Sequence, residues 1–150
     1  MNRNPLHTIM APESVAFLGA SNTLGKMGTS QLLNVLFNDF PGRIFPVHPK
    51  EEKVLGLTAY PSIPELPEAP DLAILVVPSK LIISMMTELG QLGTRHAIIM
   101  SAGFKETGEE GRALEKQLLE VCRTYDMRFL GPNCMGVLNT HHPFNCTVSP

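Results

Sequence analysis

A chain of 150 residues is long enough to bury a substantial core as one domain, and 43% hydrophobic with 17% charged residues is a globular rather than a disordered balance. The formal net charge of −2 leaves no basic excess for a general nucleic-acid binder, and no apolar run approaches the ~20 residues of a membrane helix. The first residues, MNRNPLHTIMAPES, have no apolar core of signal-peptide type, so the expected location is cytoplasmic.

Residues 1–13 read as an N-terminal extension. SVAFLGA, from Ser14 to Ala20, is a short apolar run bounded by turn residues, which predicts a strand covered on both faces. The loop after it, GASNTLGKMG, carries Gly19, Gly25 and Gly28, with Ser21 and Thr23 between them. A dinucleotide fingerprint wants glycine at 19 and then at the positions held by Ser21 and Leu24. The Ser21 side chain keeps a pyrophosphate off the backbone there, and Leu24 obstructs the close helix–strand contact that a third glycine permits. Backbone N–H groups, hydroxyls and the helix N-terminus can still bind phosphate; the alternative is a purely structural turn.

From about Thr29, Leu32, Leu33, Leu36, Phe37 and Phe40 recur at helical spacing until Pro41-Gly42. RIFPVHP, starting at Arg43, is the second predicted strand, although Pro46 cannot donate to a ladder and suits an internal strand poorly. An NAD site expects Asp or Glu after this strand, whereas the chain has VHPKEEK with His48 and Lys50 nearest. A cation there suits a ribose that carries a phosphate, as in NADP or coenzyme A. A solvated surface lysine is the other reading, with Glu51 and Glu52 close behind.

The proline-rich stretch from Lys53 to Pro70 holds one expected helical turn near Ile63 to Leu66. DLAILVVP, Asp71 to Pro78, is the clearest strand, and Ser79 is the expected N-cap of a helix striped by Ile82, Met85, Met86, Leu89 and Leu92. HAIIMSAG, His96 to Gly103, is the fourth strand, and its Ser101, Ala102 and Gly103 form a low wall for an extended ligand. Thr107 and Glu110 fit a capping box ahead of a helix whose buried face carries Leu114, Leu118, Val121 and Tyr125. RFLGPN, Arg128 to Asn133, is the fifth strand.

In GPNCMG, Gly131-Pro132 forces a turn, Asn133 offers donors and acceptors, and Gly136 permits close approach. Cys134 has no sequence-adjacent His or Asp, so its expected role is positional rather than nucleophilic. Cys122, Cys134 and Cys146 form no C-x-x-C pair and read as reduced thiols, and His141-His142 reads as an exposed loop pair; no metal site is expected. FNCTVSP reads as a strand heading onward, which makes residues 141–150 a strand or linker towards a following domain. Alternating strands and helices predict an α/β, Rossmann-like, doubly wound and mainly parallel five-stranded sheet with helices on both faces. Ligands in such sheets bind beyond the carboxyl ends of the strands.

SVAFLGASNTLGKMGTSQLLNVL, RIFPVHPKEEKVLG, PDLAILVVP, IIMSAGFKETGEEG and RFLGPNCMGVLN, in that order, resemble the N-terminal coenzyme A-binding domain of NDP-forming acyl-CoA synthetases. These are the ADP-forming acetyl-CoA synthetases and relatives of the succinyl-CoA ligase α subunit. The resemblance implies that residues 14–140 hold coenzyme A across the strand ends. By position, Gly19, Ala20, Ser21, Asn22 and Thr23 would wrap its phosphate and adenosine region, and Lys50 would approach the 3′-phosphate. Val77, Pro78, Met100, Ser101 and Ala102 would border adenine and pantetheine, and Asn133 would lie towards the thiol. In the ligase α subunit the lysine stands slightly further beyond the proline, where this chain has Glu51.

The family's reaction is acyl-CoA plus NDP plus phosphate exchanging with acid, coenzyme A and NTP. It needs a further ligase domain, a phosphoryl-carrying histidine and a nucleotide-grasp module. The resemblance therefore implies no catalytic residue in this chain, whose five histidines stand outside the phospho-histidine context. Two alternatives stand beside it: a non-catalytic coenzyme A module of an acetyltransferase or a free-standing binding protein, and an NADP-dependent oxidoreductase domain favoured only by Lys50.

Overall fold

In the computed structural model, which describes residues 4–149, the chain order is α1 (Pro5–Met10), β1 (Ser14–Leu18), α2 (Met27–Phe37), β2 (Arg43–Val47), β3 (Lys53–Val54) and β4 (Leu57–Thr58). There follow β5 (Leu72–Leu75), α3 (Ser79–Leu92), β6 (His96–Ile99), α4 (Glu109–Thr124), β7 (Arg128–Leu130), β8 (Leu138–Asn139) and β9 (Phe144–Asn145). Residues 1–3 of the expected extension and Pro150 of the expected linker lie outside the described residues.

β1, β2, β5, β6 and β7 form one parallel sheet in the order β2-β1-β5-β6-β7. Successive strand residues point to opposite faces, so each apolar run feeds two cores. Ala16, Leu18, Ala73, Leu75, Ala97 and Ile99 meet Ile82, Met86 and Leu89 of α3 and Leu118 and Cys122 of α4. Val15, Phe17, Leu72, Ile74 and Ile98 meet Leu32 and Val35 of α2, with Phe144 and Cys146 behind them. Each large side chain so buried contributes about 1.5–3 kcal/mol. This is the doubly wound, Rossmann-like α/β sheet that the alternation of elements predicts.

β2 is an edge strand, which removes the difficulty posed by Pro46: no strand on its outer side asks for the missing N–H. The Pro46 carbonyl accepts from Tyr60 N–H (2.9 Å), and His48 N–H donates to the Tyr60 carbonyl (2.9 Å), so one residue covers the outer side of this edge.

Several local expectations change. α2 begins at Met27 and ends at Phe37, before Pro41-Gly42, because Asp39 turns the chain at φ +52°. Phe37 is 77% exposed, while Phe40 lies beyond the helix against the Phe144 ring (5.3 Å). Ser79 is the first helical residue of α3 rather than its cap; Pro78 holds that position and no side chain caps the helix. The Thr107–Glu110 box does not form, because Gly108 is the cap of α4 and Thr107 Oγ1 instead donates to the Phe104 carbonyl (2.8 Å). The fourth and fifth strands stop at Ile99 and Leu130, short of the loops expected to extend them.

The segment 141–149 contains a strand and packs onto the domain. β9 pairs antiparallel with β8, Phe144 and Cys146 are fully buried, and Asn34 of α2 donates to the Thr147 and Ser149 carbonyls (3.0 and 2.9 Å).

Candidate functional site

Strand order reverses at β1, whose neighbours are β2 on one side and β5 on the other. A crevice opens outside the carboxyl ends of such strands. Gly19 leaves β1 at φ +108°, and a Cβ there would lie 2.0 Å from the Val76 carbonyl oxygen just beyond β5, so the position excludes side chains through the sheet itself. Gly28, in the first turn of α2, lies so close to β1 that a Cβ would come within 2.3 Å of the Gly19 carbonyl oxygen. The helix–strand contact that the fingerprint assigns to its third glycine is therefore made by Gly28. Leu24 obstructs nothing, because its side chain is 72% exposed. Lys26 is the N-cap of α2 and no side chain caps the helix, so its first N–H groups have no side-chain cap, the arrangement that can bind an anion.

The loop is held by its own side chains. Thr29 Oγ1 accepts from Ser21 N–H (3.2 Å) and donates to the Ser21 carbonyl (3.0 Å), while Thr23 N–H donates to Ser21 Oγ (3.2 Å). Asn22 turns away to the β3–β4 hairpin. Its amide donates to the Lys53 carbonyl (2.8 Å) and to Glu51 (3.2 Å), and its oxygen accepts from Leu55 N–H (2.9 Å). Ser21 N–H is thus already committed, and Asn22 and Thr23 anchor the loop rather than line the crevice.

The crevice has a volume of about 450 Å³. Gly19, Ala20, Ser21 and Lys26 line it in the loop after β1, and Val47, His48, Pro49 and Val77 line it at or just beyond the ends of β2 and β5. Pro61, Ser62 and Ile63 face Leu81, Ser84, Met85 and Glu88 of α3 across the remainder. His48 Nδ1 accepts from the backbone N–H groups of Lys50 (3.2 Å) and Glu51 (3.0 Å), which fixes the turn after β2. Lys50 is exposed and lines an adjoining groove that shares His48, Pro49 and Pro61 with the crevice.

The other expected residues divide by role. Ser101 is buried: its Oγ accepts from Val77 N–H (3.2 Å) and donates to the Val77 carbonyl, tying the ends of β5 and β6 together. Met100 is 4% exposed, with its side chain in the core on the α2 side of the sheet. Pro78 and Ala102 are exposed beside these strand ends, and Asn133 (φ +55°) donates its N–H to the Ser101 carbonyl (3.0 Å). Glu106 curls back to accept from Gly103 N–H (2.6 Å), a bond that holds its carboxyl below the usual range.

Cys134 donates to the Ile99 carbonyl (3.4 Å) and touches Met100 Sδ (3.7 Å), and burial pushes its thiol up, the opposite of what a nucleophile needs. A groove of about 490 Å³ between α1, α4 and the start of β7 matches the crevice in size. It lies at the amino end of β7, where no glycine cradle faces it. Among the described residues, no group of three or more His, Cys, Asp or Glu is placed to hold a metal ion.

Residues 13–140 match the protein family described as a CoA binding domain. The chain belongs to that family. This CoA-binding domain is 43% identical over 139 residues to an ADP-forming acetate–CoA ligase (II) of Archaeoglobus fulgidus, covering 93% of the chain and 21% of the relative. It is 44% identical over 136 residues to the α subunit of the corresponding Pyrococcus furiosus ligase, covering 91% and 30%. The dinucleotide-forming acetyl-coenzyme A synthetase 1 of Ca. Korarchaeum cryptofilum, solved with phosphate and ADP, superimposes with a TM-score of 0.92 at 33% identity, over 97% of this chain and 31% of that one. The chain therefore spans between about a fifth and a third of the length of these relatives.

The CoA-binding domain brings Gly19, Ala20, Ser21 and Val77 to one crevice. Lys26 and the α3 face are additions that the sequence motifs do not mark. Lys26 follows Gly25, and the cue available for it is a cation beside the helix start.

Proposed function

We propose that this CoA-binding domain holds the nucleotide portion of coenzyme A in the crevice, and that it does so for an ADP-forming acid–CoA ligase. The observation that carries this reading is the uncapped α2 N-terminus packed on Gly19 at one end of a crevice with apolar walls. An anion on the ribose or pyrophosphate is held there by helix N–H groups and the Lys26 ammonium, and Lys50 approaches from the adjoining groove. Residues 14–140 act as the binding unit, with Ala102 and Asn133 on the path towards the thiol end. Met100 and Ser101 border that path by supporting its backbone. Bound coenzyme A supplies the thiol that takes the acyl group. The residues of this chain bind and orient it, and the phosphoryl-carrying histidine and the nucleotide-grasp module belong to other parts of the ligase.

Thermal unfolding and calorimetry with coenzyme A, NADP and NAD test the reading. Coenzyme A at ~100 times its dissociation constant should add about 2.7 kcal/mol of stability, with less from either dinucleotide. Stabilisation by NADP without stabilisation by coenzyme A refutes it. Gly19→Val should abolish binding, because its side chain collides with Val76, whereas Cys134→Ala should leave binding nearly intact.

A further inference from the structure

The stripe Leu81, Ser84, Met85 and Glu88 runs beside the buried stripe Ile82, Met86 and Leu89, so α3 offers one face to the sheet and another to the crevice. From Leu81 to Glu88 the helix advances about 10 Å, away from the phosphate cradle and along the wall opposite Ile63. Resting on the reading that this crevice takes the nucleotide of coenzyme A, we propose that Glu88 recognises the exocyclic amino group of the adenine ring.

Apolar walls from Ile63, Leu81 and Met85 suit the faces of a planar base. Beside them on the same stripe stands half-buried Glu88, to whose carboxylate no described residue donates a hydrogen bond or offers an ion pair. The neighbouring hydroxyls are engaged elsewhere: Ser84 Oγ donates to the Leu81 carbonyl (3.0 Å) and Ser62 Oγ to Glu65 (2.9 Å). A carboxylate with no donor from the protein is open to one from a ligand, and adenine brings such a donor in its 6-amino group. The crevice is also polarised. Lys26 stands beside the start of α2, whereas Glu88 stands about 10 Å along α3 from Leu81, an order of charges that favours phosphates at the first and the base at the second. A base with an oxo group at position 6 turns an acceptor towards an acceptor, which this arrangement rejects.

Titration calorimetry on the chain with coenzyme A and with its hypoxanthine analogue provides the test. The native chain should prefer coenzyme A by at least about tenfold. Glu88→Gln, whose amide can turn an NH₂ group towards the 6-oxo group, should bring the two ligands within about threefold. Glu88→Asp, with its carboxylate drawn back by one methylene, should lose part of the preference. A native chain that binds both ligands equally, or a preference unchanged in Glu88→Gln, overturns the role of Glu88 and leaves the crevice reading standing. No measurable binding of coenzyme A by the native chain overturns both.

Discussion

Replacing Gly28 by alanine tests the cradle through the sign of its effect. In a helix interior, glycine to alanine ordinarily stabilises by about 0.5–1 kcal/mol, because glycine loses more backbone freedom on folding. Here the new Cβ would lie 2.3 Å from the Gly19 carbonyl oxygen, 2.7 Å from its carbon and 3.2 Å from the Ala20 nitrogen. All three are backbone atoms of the strand end, so no flexible side chain can yield. Opening 2.3 Å to the 3.4 Å of ordinary contact requires about 1 Å of movement of α2 away from β1. Overpacking of this kind costs about 1–3 kcal/mol, which exceeds the propensity gain. At about 2–4 °C per kcal/mol for a chain of this size, the melting temperature should fall by several degrees. Coenzyme A affinity, measured by calorimetry well below that temperature, should fall with it, because the helix N-terminus moves off the anion. An alanine variant as stable as the native chain, or more so, would refute the close contact and the cradle built upon it.

Asn22→Ala removes three hydrogen bonds, two to the β3–β4 hairpin and one to Glu51 ahead of it, and should cost about 1–2 kcal/mol, read from urea unfolding with an unchanged slope. Lys26→Ala should weaken coenzyme A about tenfold to a hundredfold. If Lys50 meets the 3′-phosphate, Lys50→Ala should weaken coenzyme A but not its 3′-dephospho form; equal losses for both would assign Lys50 another role. Burial pushes Cys122 up to about 11 and Cys146 to about 12. Between roughly pH 9 and those values the unfolded chain has released thiol protons that the folded chain retains. Stability should therefore fall as pH rises through this window, and thiol alkylation of the folded chain should be slow at pH 8. Fast labelling of Cys146 at that pH would contradict its burial.

The sheet is legible in the sequence because Leu72–Leu75 and Ala97–Ile99 are apolar runs too short for helices and flanked by turn residues. Helix boundaries are less so, since they depend on competition between nearby groups. Thr107 finds the Phe104 carbonyl and Glu106 finds Gly103 N–H before a capping box can form. The six residues of α1 are too few to display a period, although Asn4 caps them by accepting from Leu6 N–H. At the site, Gly19 and Ser21 are marked by their place after a strand. The α3 wall is not, because Leu81, Met85 and Glu88 make an ordinary amphipathic pattern. The position of Ile63 across the gap shows that this stripe lines the crevice.

The tie between Tyr60 and β2 bears on how the chain behaves in a crowd. A sheet edge is a template on which another molecule's backbone can zip, and long exposed edges seed association. On the β2 side, Pro46 offers no N–H and its carbonyl is occupied by Tyr60 N–H, while His48 N–H is spent on the Tyr60 carbonyl. An incoming strand would find this stretch of the edge unable to continue the ladder. Strand-to-strand growth is left to the opposite margin, where β7 is only three residues long and Arg128 at its start is exposed. Both margins of the sheet are therefore poor seeds, one by blocked hydrogen bonding and the other by brevity and charge.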